Sequence, residues 1–155
     1  MRILGPHPDT KANYEGILRS LPQWFGIEEV LLDYVRDAAR LPTFSAYTGE
    51  TLAGFVSLQR HFPKVWEIHS IVIQQTYRCK GFGRILLTHA EDWAAGQGAR
   101  FLQVKTLAEE SHLYPEYRQT HAFYQHIGYL PLEVFPDLWS VQNPCLVMIK
   151  CLDAR

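Results

Sequence analysis

The run Arg78-Cys79-Lys80-Gly81-Phe82-Gly83-Arg84 lies between a strand-like stretch and a helical one, and it constrains the fold more than any other part of the chain. Upstream, residues 65–73 (VWEIHSIVI) are rich in β-branched and aromatic side chains and read as a strand. Downstream, Phe82, Ile85, Leu86, Ala90, Trp93 and Ala94 trace one helical stripe that stops at Gly96-Gln97-Gly98, which predicts a helix over 82–96. Phe101 to Leu107 then reads as a second strand. Strand, helix and strand in this order make a βαβ unit, and a crossover helix returns the chain to a parallel strand.

Elements on either side are of another kind. Ile27, Val30, Leu31, Tyr34, Val35 and Ala38 recur with helical spacing behind Glu28 and Glu29, predicting a helix over 26–39. Residues 43–48 and 51–60 read as two strands joined by a hairpin turn at Gly49-Glu50. A short helix over 118–127 ends at Gly128, and strands at 129–134 and 145–151 flank a proline-containing loop over 135–144. The stretch 106–118 has no period and reads as a long loop, a usual site of function. Hairpin strands followed by a parallel unit indicate an α+β fold with a mixed, partly antiparallel central sheet flanked by helices. At 155 residues without linker, repeat or charge block, the expectation is one domain over 1–155.

Composition removes several function classes. Fifteen Lys+Arg against sixteen Asp+Glu give a net charge of −1, so no global field attracts nucleic acid or anionic lipid, and neither is expected as a partner. No apolar run suits a membrane span or a signal peptide, and Cys79, Cys145 and Cys151 form neither a disulfide framework nor a metal motif. His121 and His126 are five apart and do not share a helix face, so no metal is expected and a reducing cytoplasm is the natural setting. Any anion site must therefore be local.

The basic turn supplies one. Gly81 and Gly83 let the backbone turn tightly and approach a ligand, the helix start presents free N–H groups, and Arg78, Lys80 and Arg84 add three cations with no acid among them. The plain alternative is an ordinary glycine turn with a solvated basic surface. Neither familiar phosphate motif fits: no GxxxxGK run exists, and Leu86 occupies the third position of a dinucleotide fingerprint, where Gly or Ala is needed for close packing.

The same run resembles motif A of the GNAT acetyltransferase superfamily, Gln/Arg-x-x-Gly-x-Gly/Ala, through Arg78, Gly81 and Gly83. Ile71 to Arg78 is similar to that family's strand end, with Gln75 in place of the usual proline, and Ala122-Phe123-Tyr124-Gln125-His126-Ile127-Gly128-Tyr129 is similar to its FYxxxG segment, with a spacer one residue shorter. The resemblance covers nearly the whole chain. It implies a GNAT-type sheet, acetyl-coenzyme A as cofactor, its pyrophosphate on Cys79, Lys80, Gly81, Phe82, Gly83 and Arg84, and its pantetheine along Ile71, Val72 and Ile73. Acetyl would pass to a primary amine on a small molecule or peptide by direct attack in a ternary complex, and a homodimer is admitted. A module that holds acyl-coenzyme A without turnover and a nucleotide-binding transferase are the competing readings.

Acyl transfer requires a deprotonated amine and a proton for the leaving thiolate. The resemblance makes Tyr124 the acid, although Thr120, Phe123, Tyr124 and Ile127 form an apolar stripe in which a tyrosine also reads as core packing. For the base, strict alternation puts Trp66, Ile68 and Val72 on one face of the strand and Glu67, His69, Ile71 and Ile73 on the other. Glu67 also aligns with a catalytic glutamate of some family members. Glu67 and His69 are thus both candidates, against the bland reading of a solvated polar face. Trp24, Phe25, Tyr114, Tyr117 and Trp139 fall in expected loops and suit the wall of an acceptor pocket or the capping of a core.

Overall fold

The computed structural model describes residues 1–108 and 116–153. In chain order the elements are β1 (Arg2–Leu4), α1 (Tyr14–Arg19), α2 (Glu28–Arg40), β2 (Thr43–Thr48), β3 (Thr51–Phe62), β4 (Val65–Ile73), a 3-10 turn (Gln75–Tyr77), α3 (Phe82–Gly96), β5 (Phe101–Leu107), α4 (Glu116–His126), β6 (Leu130–Ser140) and β7 (Asn143–Cys151). The strands form one sheet in the order β1-β2-β3-β4-β5-β7-β6. Among the described residues only β4 and β5 pair in parallel, as the βαβ reading requires.

Helices cover both faces. Leu86, Leu87, Ala90 and Ala94 of α3 and Tyr124 of α4 pack with Trp66, Ile68, Leu102, Val104 and Met148 in the larger core. Ile17 and Leu18 of α1 and Leu31 and Ala38 of α2 close the opposite face over Phe55 and Val72. The hairpin turn is present, with Thr48 opposite Thr51 and φ of +59° at Gly49, the glycine-first pattern of a type II′ turn.

Three elements depart from the sequence expectation. Strand β1 and helix α1 have 3 and 6 residues, too short to show a period, although α1 carries a readable cap in which the Asn13 side chain accepts from the Gly16 N–H. Strand β6 runs through Pro136 to Ser140 where a loop was expected. It lies at the sheet edge, where proline's missing N–H costs no ladder bond, so the proline reads as an edge marker and not as a terminator.

Beyond these three, a departure inside β4 matters most. Ser57 pairs with Ser70 and Leu58 with Ile68, so His69 is an extra residue bulged out of β4. An inserted residue reverses the alternation beyond it. Ile71 and Ile73 therefore pack on the α3 and α4 side with Trp66 and Ile68, and Val72 turns to the α1 and α2 side. This corrects the expectation that Ile71 and Ile73 share a face with Glu67 and His69. Pairing between β4 and β5 runs from Val65/Phe101 to Ile68/Val104 and ends where the bulge begins.

Candidate active site

Beyond Ile68, β4 is bonded to β3 alone, and its other backbone edge opens towards the gap left by β5. Two buried hydroxyls flank this gap. Ser70 on β4 and Thr106 on β5 lie two residues past the last pair, and neither Oγ nor Oγ1 has a hydrogen-bond partner among the described residues. A buried polar group without a partner costs free energy, and a ligand with amide and hydroxyl groups lying in the gap would remove that cost. Sequence reasoning missed both residues, because nothing local separates them from ordinary strand hydroxyls.

The basic loop sits at the same end of β4. Cys79 has φ of +58°, a left-handed conformation unusual for a residue with a side chain, and Gly81 follows at +85°. These two turns bring the chain into α3, whose N-cap Gly81 offers no side-chain cap, so the first-turn N–H groups of Phe82, Gly83 and Arg84 have no intrahelical acceptor. The glycines serve different ends. A Cβ at Gly81 would meet nothing within 4 Å, so its need is conformational, whereas a Cβ at Gly83 would come within 3.2 Å of the Phe123 ring on α4. Lys80 and Arg84 are exposed. Arg78 is committed elsewhere: its Nε–H donates to the Ile73 carbonyl at 3.1 Å and its guanidinium lies 4.3 Å from the Trp24 ring.

The other face holds the titratable groups. Glu67 is 6% exposed, and His61 Nε2 at 3.1 Å, Gln103 Nε2 at 2.7 Å and Lys105 Nζ at 3.3 Å all meet its Oε1. His69 Nε2 lies 2.8 Å from Asp37 Oδ2 on α2, and its ring packs 5.3 Å from Tyr34. Burial pushes the Asp37 carboxyl up, but Arg40 and His69 outweigh it and hold it below its ordinary value. The bulge thus gives His69 a partner on a helix, which no spacing rule could have shown.

Tyr124 is 4% exposed and packs edge-on against Phe123 and Tyr129, with ring centroids 5.3 and 5.6 Å away. Burial, with the nearby phenols of Tyr117 and Tyr34, pushes its pKa well above that of an ordinary tyrosine, so it is a protonated donor at neutral pH. Core packing and proton donation are both open to one side chain here. Of the five aromatics offered as a pocket wall, Trp24 lies 6.5 Å from Tyr117, and Phe25 lies 5.3 Å from Tyr34. Trp139 is exposed on the edge strand β6, and Tyr114 lies outside the described residues. No cluster of three or more metal-ligating side chains occurs among the described residues.

The parallel strand pair thus parts at a bulge, with a glycine turn and a helix start at its mouth. Residues 11–129 match the model of the acetyltransferase (GNAT) family, and the chain belongs to that family. Among solved structures it is similar to an aminoglycoside 6'-N-acetyltransferase from Enterococcus faecium, with 17% identity over 100% of this chain and 99% of that one and a TM-score of 0.76. It is also similar to a GNAT family acetyltransferase from Elizabethkingia anophelis with acetyl-CoA bound, with 15% identity over 97% of both chains and a TM-score of 0.74. At such identities the likeness shows the fold. An uncharacterised protein of Mycobacterium leprae is 41% identical over 64 residues, which is 39% of this chain and 18% of that protein.

Proposed function

We propose that residues 1–155 form one acetyltransferase domain that moves acetyl from acetyl-coenzyme A to a primary amine by direct attack in a ternary complex. The observation that carries this reading is the gap between β4 and β5, with the start of α3 and the basic loop at its mouth. The residues suit the cofactor: the α3 amides with Lys80 and Arg84 would hold its pyrophosphate, and Ser70, Thr106 and the free edge of β4 would meet its pantetheine amides.

Acetyl-coenzyme A supplies an activated acyl group and a thiolate leaving group. Glu67 or His69 takes a proton from the incoming ammonium, directly or through water. The free amine bonds to the acyl carbon, the carbon–sulfur bond breaks, and the Tyr124 hydroxyl gives its proton to the departing sulfur. Amide formation takes two protons from the ammonium: one restores the proton that Tyr124 loses, and the other leaves to solvent by way of Glu67 or His69, so the enzyme returns unchanged. No covalent acyl-enzyme is needed. A reducing cytoplasm suits three cysteines that are all free, and no helix among the described residues is long and apolar enough to cross a membrane.

Thiol release from acetyl-coenzyme A across an amine panel tests the reading. Tyr124→Phe should lower kcat about 100-fold with the acetyl-coenzyme A KM within about twofold. Wild-type turnover in that variant removes Tyr124 from the mechanism. Coenzyme A binding without thiol release from any amine favours a module that holds the cofactor without turnover.

A further inference from the structure

The aromatic residues beside the site are organised, not scattered. Trp24 and Phe25 come from the segment joining α1 to α2, Tyr34 from α2, His69 from the β4 bulge and Tyr117 from α4. Successive rings lie 5.3 Å apart from Phe25 to Tyr34 and from Tyr34 to His69, and Trp24 approaches Tyr117 at 6.5 Å. The phenols of Tyr117 and Tyr34 are near enough to Tyr124 to act on its ionisation, so this wall adjoins the proposed acid. The Trp24 ring also carries the Arg78 guanidinium at 4.3 Å, which ties the wall to the loop proposed to hold pyrophosphate.

The charge pattern around the wall is the second observation. Two carboxylates, Glu67 and Asp37, are close enough to raise the Tyr34 phenol, after the larger effect of its burial. Neither is left as a bare negative charge. Glu67 Oε1 faces Lys105, Gln103 and His61, and Asp37 faces Arg40 at 3.0 Å and His69 at 2.8 Å. A polycationic acceptor needs surplus negative charge to replace the water it loses, and these two carboxylates, each already paired with a cation, offer little of it. An aromatic wall with internally balanced charge fits one ammonium on an apolar body: rings accept the body by area and the cation by their π faces.

Building on the acetyl-transfer reading above, we infer that the acceptor is a primary monoamine carried on an aromatic or alkyl body, held against Phe25, Tyr34 and Trp24, and not a polyamine or aminosugar. The test measures kcat/KM for phenethylamine, hexylamine, spermidine and kanamycin by thiol release. The monoamines should exceed both polycations by about tenfold or more, a difference one modest apolar contact can supply. Equal or better use of spermidine or kanamycin overturns the inference while leaving acetyl transfer intact. No thiol release with any amine removes both readings.

Two variants locate the effect. Phe25→Leu, which keeps bulk but removes the ring, should raise the phenethylamine KM about fivefold with the acetyl-coenzyme A KM unchanged, the latter serving as the check on folding. An unchanged phenethylamine KM excludes the wall. Lys105→Gln leaves Glu67 one counter-charge short and should shift the spermidine-to-phenethylamine ratio about fivefold towards spermidine. A fixed ratio in that variant overturns the charge argument.

Discussion

Glu67 and Glu91 are both buried glutamates, 6% and 3% exposed, and both carry a lysine partner, yet they are wired differently. In the closed core between α3 and β7, Glu91 is satisfied on both oxygens: the Tyr129 hydroxyl donates to Oε1 and Lys150 Nζ to Oε2, each at 2.9 Å. At the site, three donors crowd onto Oε1 of Glu67, and Oε2 has no donor among the described residues. A carboxylate tied through both oxygens inside a closed core is fixed as a staple between elements. One paired on a single oxygen is held in place with acceptor capacity in reserve. Burial alone does not tell these two carboxylates apart; the distribution of donors does.

The contrast can be broken at several points. Glu91→Ala should cost about 3 kcal/mol in urea unfolding, the lower end for a broken buried pair because Lys150 is partly exposed, with activity per folded molecule retained. A loss of turnover without a loss of stability would place Glu91 among the working residues. Glu67→Gln should do the reverse. We expect turnover to fall about tenfold and stability to change by less than about 1 kcal/mol, since the amide can still accept from Gln103 and Lys105. That deficit should shrink as pH rises, because the amine then arrives already deprotonated; a deficit constant with pH excludes Glu67 as the base and leaves His69. For Tyr129→Phe the expected cost in stability is smaller than for Glu91→Ala, about 1–2 kcal/mol, from a single donor lost to Glu91 in the core. No measurable change there would mean that Lys150 alone satisfies the carboxylate.

Much of the site's frame was legible from local chemistry. The Arg78 to Arg84 turn announced itself because glycine is the residue for positive φ, here +85° at Gly81, and because three cations stand there with no acid among them. Helix α3 and its flanking strands were legible because long, periodic elements average over local noise. Helix α1 was not, since 6 residues span less than two turns. The Tyr124 side chain was ambiguous in sequence and its surroundings explain why: a phenol buried among Phe123, Tyr129 and neighbouring phenols packs in the core and stays protonated, so both readings remain open to it.

The sequence by itself determined the parallel unit, the anion-seeking loop and the chemical inventory of the site, because each depends on neighbours within a few residues along the chain. Only the tertiary structure decided which of those groups meet. A period of two carries no record of an inserted residue, so the bulge at His69, and with it the face that Ile71, Val72 and Ile73 present, exists only where β4 pairs with β3. The partners of Glu67 and His69 are likewise decided there, since Gln103, Lys105 and Asp37 come from strands and helices more than thirty residues away.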